Sequence, residues 1–301
     1  MKDIHAMMPT TARLALGKVG ITGVRKPLNI LRPERMQPLS ATFQVFVDLP
    51  ESRKGSDLSR NAQILAEVVD ETVLHPSPSL EAACATIARE LLTRHSYATD
   101  AEVTAEAEYF LRRGISPDKQ SLEDFTLVGK AWAHRDDGVT VVRKAIGAEA
   151  VGTTACPCAM ETCREELARE YPELSRKTLS EMPVVTHNQR NRTRLTLILP
   201  ENVEVEADEI LEVIEASQSA PTYAILKRGD EGRLVLMAHR KPRFVEDVIR
   251  SALYLTGKKF AHLPDDVEVE AETQSEESIH KYDVRAEHRA TLGELKGLLP
   301  G

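Results

Sequence analysis

The chain has 301 residues, of which 42% are hydrophobic, 29% charged and only 4% aromatic. This composition is ordinary for a globular protein with room for two modules or one large domain, and it predicts a core of aliphatic and alanine side chains. The formal net charge of -8 argues against a general nucleic-acid-binding surface. No apolar run reaches the length of a membrane span, so no membrane partner is expected.

The cysteine pattern points to a reducing compartment. Three of the four cysteines lie within eight residues, at positions 156, 158 and 163. Such clustering is not a disulfide framework, and the cytoplasm is therefore the expected location.

Alternation and helical spacing divide the first half of the chain into strands and helices. Residues 1–38 carry four prolines and many basic side chains, so we expect an irregular N-terminal arm with one strand at 20–25. Apolar residues in period two indicate strands, and apolar residues at helical spacing indicate helices. On this basis strands are expected at 41–49, 101–111, 125–134 and 139–146, and helices at 58–74 and 79–95. The sequence Asp136-Asp137-Gly138 is expected to form a hairpin turn.

The second half of the chain contains the same mixture of elements. Helices are expected at 160–171, 208–217 and 244–255, and extended segments at 193–199, 223–227, 233–237 and 267–273. Paired strands and paired helices in both halves favour an α+β fold with antiparallel sheets. The predicted organisation is an arm at 1–38, a first module at 39–150, and a region at 151–301 that holds a Cys-Pro-Cys turn and a second module.

Two short stretches carry the residues best suited to metal chemistry. Thr-Thr-Ala-Cys-Pro-Cys at 153–158 follows a predicted strand, and Thr-His-Asn-Gln-Arg at 186–190 precedes one. A thiolate from Cys156 and an imidazole from His187 could hold a divalent ion with one position open to water. The alternative is a buried turn and an ordinary histidine, because the spacing matches no structural zinc site.

Three further stretches could take part in binding or proton transfer. Glu277-Ser-Ile-His280 places a carboxylate and an imidazole close together after a strand. Residues 226–231 mix cations and carboxylates at a turn, and residues 54–60 offer glycine, serine and basic groups near a helix start, which suits phosphate. Without other information, a solvated loop is the favoured explanation of 277–280 and an exposed hairpin that of 226–231. Residues 54–60 lack the Walker A pattern and are a weak signal for phosphate.

Taken in order, these motifs resemble a known family. The resemblance is carried by Phe-Gln-Val-Phe-Val-Asp-Leu-Pro at 43–50, Thr-Ala-Cys-Pro-Cys at 154–158, His-Asn-Gln-Arg at 187–190, Phe-Val-Glu-Asp at 244–247 and Glu-Ser-Ile-His at 277–280. The chain is similar from about residue 20 to about residue 290 to metal-dependent GTP cyclohydrolases of the IB class and their archaeal relatives of the methanopterin pathway.

The resemblance implies a fold, an assembly and a reaction. The family has a tunnelling fold, in which two ββαα-type modules per chain join through sheet edges in a homo-oligomer, here expected to be a homodimer or homotetramer. Its members hydrolyse GTP at C8 of the purine and release formate. The product is a dihydroneopterin phosphate, either the 2′,3′-cyclic phosphate or the triphosphate, and both remain open for this chain.

The resemblance also implies roles for individual residues. Cys156, His187 and Glu231 match the metal ligands, Cys156 and His280 are the expected catalytic residues, and Glu277 is the expected anchor of the guanine edge. One divalent ion per subunit is expected, with Fe(II) as the first choice and Mn(II) or Zn(II) as alternatives. The expected triphosphate ligands are the cations Lys54, Arg60, Arg190, Lys227 and Arg228.

The expected chemistry is physically consistent with these roles. C8 is a weak electrophile, so attack at neutral pH needs an activated water. A carboxylate can accept both N1–H and the exocyclic amino group of guanine. Two positions depart from the family pattern, since relatives usually have His where Asp57 stands and often Ser where Asn191 stands. The alternatives are a tunnelling-fold enzyme acting on another purine or pterin and a non-catalytic metal-binding protein.

Overall fold

The structure is a computed structural model that describes residues 4–8, 12–32 and 35–300. In these residues it contains one nine-stranded sheet and eight helices, which makes the fold α+β. The strands are β1 (Leu16–Arg32), β2 (Arg35–Leu49), β3 (Asp100–Ser116), β4 (Lys119–Asp136), β5 (Val139–Ala155), β6 (Asn188–Pro200), β7 (Ala220–Pro221), β8 (Glu268–Glu276) and β9 (Val284–Thr291). The helices are α1 (Leu58–Leu74), α2 (Leu80–Arg94), α3 (Pro157–Glu170), α4 (Arg176–Glu181), α5 (Ala207–Ser217), α6 (Arg228–Arg240), α7 (Val245–Lys259) and α8 (Leu292–Lys296).

The strands follow the order β1-β2-β3-β4-β5-β6-β8-β9, and β7 pairs with β5. The pairs β1–β2, β2–β3, β5–β7 and β8–β9 are antiparallel. The chain forms two compact units. The first consists of residues 1–109, 126–147 and 198–205, and the second of residues 110–125, 148–197 and 206–301.

The first unit is built from helices α1 and α2 and a layer of alternating strand residues. On β2 the odd-numbered residues Phe43, Val45 and Val47 are at most 1% exposed, as expected for a strand with one buried face. Helix α2 begins at an N-cap, Ser79, whose hydroxyl accepts the Ala82 amide at 3.2 Å. It packs closely on β4, because a Cβ at Gly129 would lie 2.8 Å from Leu80 Cγ. Glycine is therefore required where the helix crosses the strand.

The second unit has its own aliphatic core. Helix α5 packs against α7, and α7 packs against β8 and α8. The residues on the facing sides are fully buried, among them Ile210, Ile214, Val248 and Ala252. Their spacing of three to four residues along each helix is the pattern that predicted these helices from the sequence.

Most predicted elements are present, but the N-terminal arm is not irregular. Residues 16–32 form a 17-residue strand, so the expected short strand at 20–25 is only part of β1. Pro27 is tolerated because β1 is an edge strand that pairs with β2 alone. Its missing N–H therefore breaks no hydrogen bonds to a second neighbouring strand. The parts of the arm at 1–3, 9–11 and 33–34 lie outside the described residues.

The extended segment expected at 233–237 is also wrong, because these residues lie within α6. The carboxylate of Asp230 stabilises the start of this helix, because it accepts a hydrogen bond from the Lys227 amide at 3.3 Å and so caps α6. Residues 223–227 form no strand either. The short helices α4 and α8 and strands β7 and β9 had no counterpart in the sequence prediction. No described helix is both long and apolar enough to cross a membrane.

Candidate active site

Cys156 lies at the junction of β5 and α3 in the second unit. It is the N-cap of α3, has extended backbone angles, and its sulfur accepts the Ala159 amide at 3.4 Å. Pro157 follows at the first helical position, where its lack of an N–H has no cost. A helix N-terminus favours negative charge, which is the charge that a thiolate ligand carries. Cys158 is exposed one residue into the helix.

The stretch at 186–190 lies directly beside this turn. The amide of Cys156 donates to the carbonyl of His187 at 3.1 Å. The hydroxyl of Thr186 donates to the carbonyl of Cys156 at 2.7 Å. These two bonds hold the backbone of His187 against the Cys-Pro-Cys turn, so the structure brings together the two stretches that the sequence singled out.

Glu277 completes this group from the end of β8. Its Oε2 lies 3.7 Å from Nδ1 of His187, and the two side chains are only 9% and 13% exposed. The hydroxyl of Ser278 lies 3.4 Å from the same nitrogen. With Nδ1 facing these groups, Nε2 is the nitrogen left to coordinate an ion, as in carboxylate–histidine pairs of metal sites.

Three buried side-chain oxygens in the stretches at 186–190 and 277–280 have no hydrogen-bond partner. They are Oε2 of Glu277, Oδ1 of Asn188 and Oε1 of Gln189. Buried acceptors are normally satisfied, and an unsatisfied one is costly. The unsatisfied Oε2 of Glu277 fits a ligand that brings an N–H or O–H donor, such as the edge of a purine. Asn188 and Gln189 are successive residues of β6, so their side chains point to opposite faces of the sheet. Asn188 and Gln189 had no assigned role in the sequence analysis, although they lie inside the motif.

Glu231 and His280 are placed differently. Glu231 lies in the first turn of α6 with an exposed side chain, on the helix face that continues through Leu234 to Ala238. Ala238 packs against Ala155, the residue before Cys156. His280 is exposed, and its ring stacks on Tyr282 with centroids 5.0 Å apart.

The donor types present suit a divalent ion, although the three expected ligands are not clustered. Within residues 4–8, 12–32 and 35–300, no three His, Cys, Asp or Glu side chains are grouped so as to hold a metal. A thiolate, an imidazole and a carboxylate nevertheless form a mixed set of the kind that binds Fe(II) or Zn(II). Cys156 and His187 therefore fit the expected ion, and Glu231 remains a predicted third ligand.

The predicted phosphate-binding cations fall in both units. In the first unit, the backbone amide of Lys54 donates to the carbonyls of His5 and Met7, and Arg60 forms an ion pair with Asp57 at 3.3 Å. Asp57, the position that departs from the family pattern, thus neutralises one of the expected phosphate ligands. In the second unit, Arg190 is exposed on β6, while Lys227 and Arg228 form the N-terminus of α6.

Two cations that were not predicted as ligands lie between α6 and α7. The amide of Arg243 donates to the carbonyl of Ala155 at 3.0 Å. Lys241 donates from its ammonium group to the carbonyl of Ala216 in the last turn of α5. Burial, together with the neighbouring Arg243 charge, lowers the pKa of Lys241 to about 8. The signal in the sequence was the pair of basic residues immediately before the 244–247 motif.

An ion pair at the base of α6 fixes the helix that carries Glu231. Lys119 donates to both carboxylate oxygens of Asp230, at 2.9 and 3.0 Å. This hydrogen bonding lowers the pKa of Asp230, which is therefore ionised at neutral pH as the cap requires. The cap and the ion pair together determine where α6 begins.

Comparisons with known proteins agree over nearly the whole chain. Residues 1–286 match the family model described as type I GTP cyclohydrolase folE2. The chain is 39% identical over 288 residues to GTP cyclohydrolase MptA of Methanothermobacter thermautotrophicus, which covers 93% of this chain and 91% of the relative. It is 38% identical over 303 residues to GTP cyclohydrolase MptA of Methanococcoides burtonii, covering 98% of this chain and 95% of the relative.

A solved structure resembles the fold without resembling the sequence. A uricase from Bacillus fastidious superposes with a TM-score of 0.50 at 10% identity, covering 93% of this chain and 95% of that one. This likeness concerns the fold alone. The sequence matches, by contrast, extend through every motif of the site, and they establish that the chain belongs to the folE2 family of type I GTP cyclohydrolases.

Proposed function

We propose that this chain hydrolyses GTP at C8 of the purine and releases formate. The product is a 7,8-dihydroneopterin phosphate, and the reaction is the first step of methanopterin- or tetrahydrofolate-type pterin biosynthesis. Family membership supports the reaction class. The observation that supports its assignment to a site is the approach of His187 to both Cys156 and Glu277, at strand ends that also carry unsatisfied acceptors.

In this proposal Cys156 and His187 hold one divalent ion per subunit, Fe(II) as first choice and Mn(II) or Zn(II) as alternatives. Glu231 supplies the third ligand, and Cys156 is catalytic through its sulfur. When bound, the ion supplies Lewis acidity that activates water for attack on C8. Glu277 and Ser278 keep the His187 ring oriented through Nδ1, which fixes the nitrogen available for the ion.

The remaining residues bind GTP and move protons. Glu277 accepts the N1–H and the amino group of guanine through its two carboxylate oxygens, of which Oε2 has no hydrogen-bond partner within the protein. His280 is exposed, and its imidazole can both donate and accept a proton, so it is suited to transfer protons during ring opening. The triphosphate is bound by the cations Lys54, Arg60, Arg190, Lys227 and Arg228.

The finer architecture forms part of the same proposal. We place the first tunnelling-fold module at 39–150, with the arm at 1–38 contributing β1 and the start of β2 to its sheet, and the second module, with the Cys-Pro-Cys turn, at 151–301. The element order β1-β2-α1-α2 and the fold likeness to a uricase support a ββαα-type arrangement. The enzyme is proposed to be a homodimer or homotetramer with GTP as its substrate.

The deciding experiment is incubation of the metal-reconstituted protein with GTP, followed by mass analysis of the products. Formate together with a dihydroneopterin phosphate is expected, and the mass of the pterin distinguishes the 2′,3′-cyclic phosphate from the triphosphate. Unchanged GTP, with Fe(II), Mn(II) and Zn(II) each supplied, would overturn the proposal.

The metal ligands are tested by substitution at Cys156. Cys156→Ala should lose both the bound ion and turnover, measured by elemental analysis and formate release. Cys163→Ala on the same helix is the matched control and should retain both. Full activity of Cys156→Ala after metal removal and reconstitution would show that this thiol is not a ligand.

A further inference from the structure

Five polar side chains form a continuous buried chain across three strands of the second unit. None is more than 1% exposed. They are Thr154 on β5, Asn191 and Thr193 on β6, and Thr273 and Ser275 on β8. Polar groups this deeply buried are costly unless every hydrogen bond is made, so a fully bonded set has a strong geometric preference.

Asn191 is the hub of this chain. Its Oδ1 accepts the Ser275 hydroxyl at 2.7 Å. Its Nδ2 donates to Thr193 Oγ1 at 3.0 Å and to Thr273 Oγ1 at 2.8 Å. One side chain on β6 thus uses its acceptor and both donors, and two of the three bonds reach the neighbouring strand β8.

The direction of every hydroxyl follows from proton counting. Ser275 has a single proton, which it gives to Asn191, so at the 3.2 Å contact the hydroxyl of Thr154 must be the donor. Thr273 gives its proton to the carbonyl of Arg192 at 3.2 Å, so Thr193 donates to Thr273 at 2.8 Å. With the Asn191 amide oriented as in the structure, the order Thr154→Ser275→Asn191 is therefore fixed.

The hydrogen-bonded side chains lie on the same strands as the candidate site, within a few residues of it. Thr154 is two residues before Cys156, Ser275 is two residues before Glu277, and Asn191 is four residues after His187. A slip of one residue between neighbouring strands would turn each site side chain to the opposite face of the sheet. Directional bonds at this depth meet no competition from water and so specify the register more sharply than apolar packing does.

We infer that Asn191 is a positioning residue, which holds β5, β6 and β8 in the register that brings Cys156, His187 and Glu277 together. The inference rests on the proposed function for its catalytic consequence, but not for its structural one. Asn191 is 0% exposed, and its side-chain hydrogen bonds go to other protein side chains. It acts through the three strands, and its substitution should therefore disturb the site geometry before it disturbs overall folding.

The test uses hydrogen–deuterium exchange, with mass spectrometry at single-amide resolution, on the full-length protein without metal or GTP. The reporter is the Cys156 amide, which donates to the carbonyl of His187. Asn191→Leu should raise its exchange rate about tenfold or more. Thr154→Val, which removes only the β5 bond, should do the same and serves as the readout if Asn191→Leu does not fold. Thr196→Val, a buried threonine on β6 outside the hydrogen-bonded chain, is the matched control and should leave that rate unchanged.

Turnover provides the second measurement. Asn191→Leu should lower kcat by about 10²-fold, the usual scale for misplaced reacting groups, while KM changes little. Asn191→Ser, which retains one hydroxyl, should fall between Leu and the wild type. Unchanged exchange at Cys156 in both Asn191→Leu and Thr154→Val would overturn the inference. If the variants show altered exchange but the wild-type protein does not convert GTP, the positioning role is supported and the proposed function is refuted.

Discussion

Cys156 satisfies the needs of a helix and of a ligand at one position. Its sulfur caps α3, its amide donates to His187, and its carbonyl accepts from Thr186. Because the same sulfur atom caps α3 and is the predicted metal ligand, Cys156→Ala removes both the helix cap and the ligand. Cys156→Ser keeps a good N-cap acceptor and separates them. Loss of ion binding in the serine variant with an unchanged unfolding temperature would assign the defect to the ligand.

The roles predicted for Glu277 and His280 differ in which kinetic step they affect. Glu277→Gln keeps the shape but presents an NH₂ donor to the donor edge of guanine, a mismatch worth about 1–3 kcal/mol. GTP binding should therefore weaken about ten- to hundredfold, measured by calorimetry.

His280→Ala should leave binding nearly intact and slow single-turnover formate release by roughly 10²–10⁴-fold. Normal GTP binding by Glu277→Gln, or a wild-type rate in His280→Ala, would show that these roles are wrong here.

Glu81 is a buried acid outside the site that should limit stability. It is 0% exposed, and burial raises its pKa, against a smaller lowering by hydrogen bonding to Ser79. Since the folded protein holds this proton more tightly than the unfolded chain does, stability falls as pH rises above the usual glutamate range. Glu81→Gln should raise the free energy of unfolding on the order of 1 kcal/mol at pH 8. The gain should shrink towards pH 4.5, and an equal gain at both pH values in urea titrations would refute this account.

At the scale of elements, capping and tertiary packing determine the conformation of segments whose local sequence pattern is ambiguous. Residues 233–237 were expected to be extended, yet they are helical, and α6 is stabilised by the Asp230 cap and by the packing of Ala238 on Ala155. The cap itself is local, but it is reinforced by Lys119, which lies 111 residues from Asp230, and Ala155 lies on a strand far from Ala238 in sequence, so these two partners are not visible in a local window. The helices at 58–74 and 79–95 were predictable, because helical spacing and the Ser79 cap are local features.

Lys241 connects two elements and gives the fold a measurable pH dependence. Its ammonium group donates to the last turn of α5, while burial and Arg243 lower its pKa to about 8. Between about 8 and the usual value of 10.5, the unfolded chain holds a proton that the folded protein has released. Stability should therefore rise with pH across this window relative to a variant without the amine.

Lys241→Met is the variant that tests this dependence. The difference in urea midpoint between wild type and Lys241→Met should shift in favour of the wild type from pH 8 to pH 10. Lys258→Met, on the adjacent helix α7, is a control for the general loss of a lysine. A constant difference across this range would mean that the Lys241 pKa is not lowered.

At the scale of the whole molecule, the sequence was informative about identity and less so about assembly of the site. The motifs at 153–158, 186–190 and 277–280 meet in one unit, because each lies at the end of a strand in the order β5-β6-β8. The family resemblance is confirmed. The ligand role of Glu231 and the phosphate roles remain predictions, since long side chains on exposed helix ends and loops are not positioned by strand pattern.

The strand order itself predicts self-association. In the described chain β1 and β9 stand at opposite ends of the order, and each pairs with one neighbour only. Open edges of this length promote pairing with another chain. We expect a symmetric dimer or tetramer by light scattering at micromolar concentration, and higher activity above the dissociation midpoint. An active monomer would refute this expectation.

The turn between β4 and β5 has a consequence for how quickly the chain folds. Asp137 and Gly138 have φ values of 44° and 81°, and this two-residue loop with positive φ at both positions matches the right-handed twist of the strands. Its contacts are among the most local in the sheet, so its closure entropy is small and it can form on the microsecond timescale. Strand pairs such as β2–β3 must wait for about fifty intervening residues to be ordered. The hairpin is therefore suited to act as the nucleus on which slower, long-range pairing proceeds.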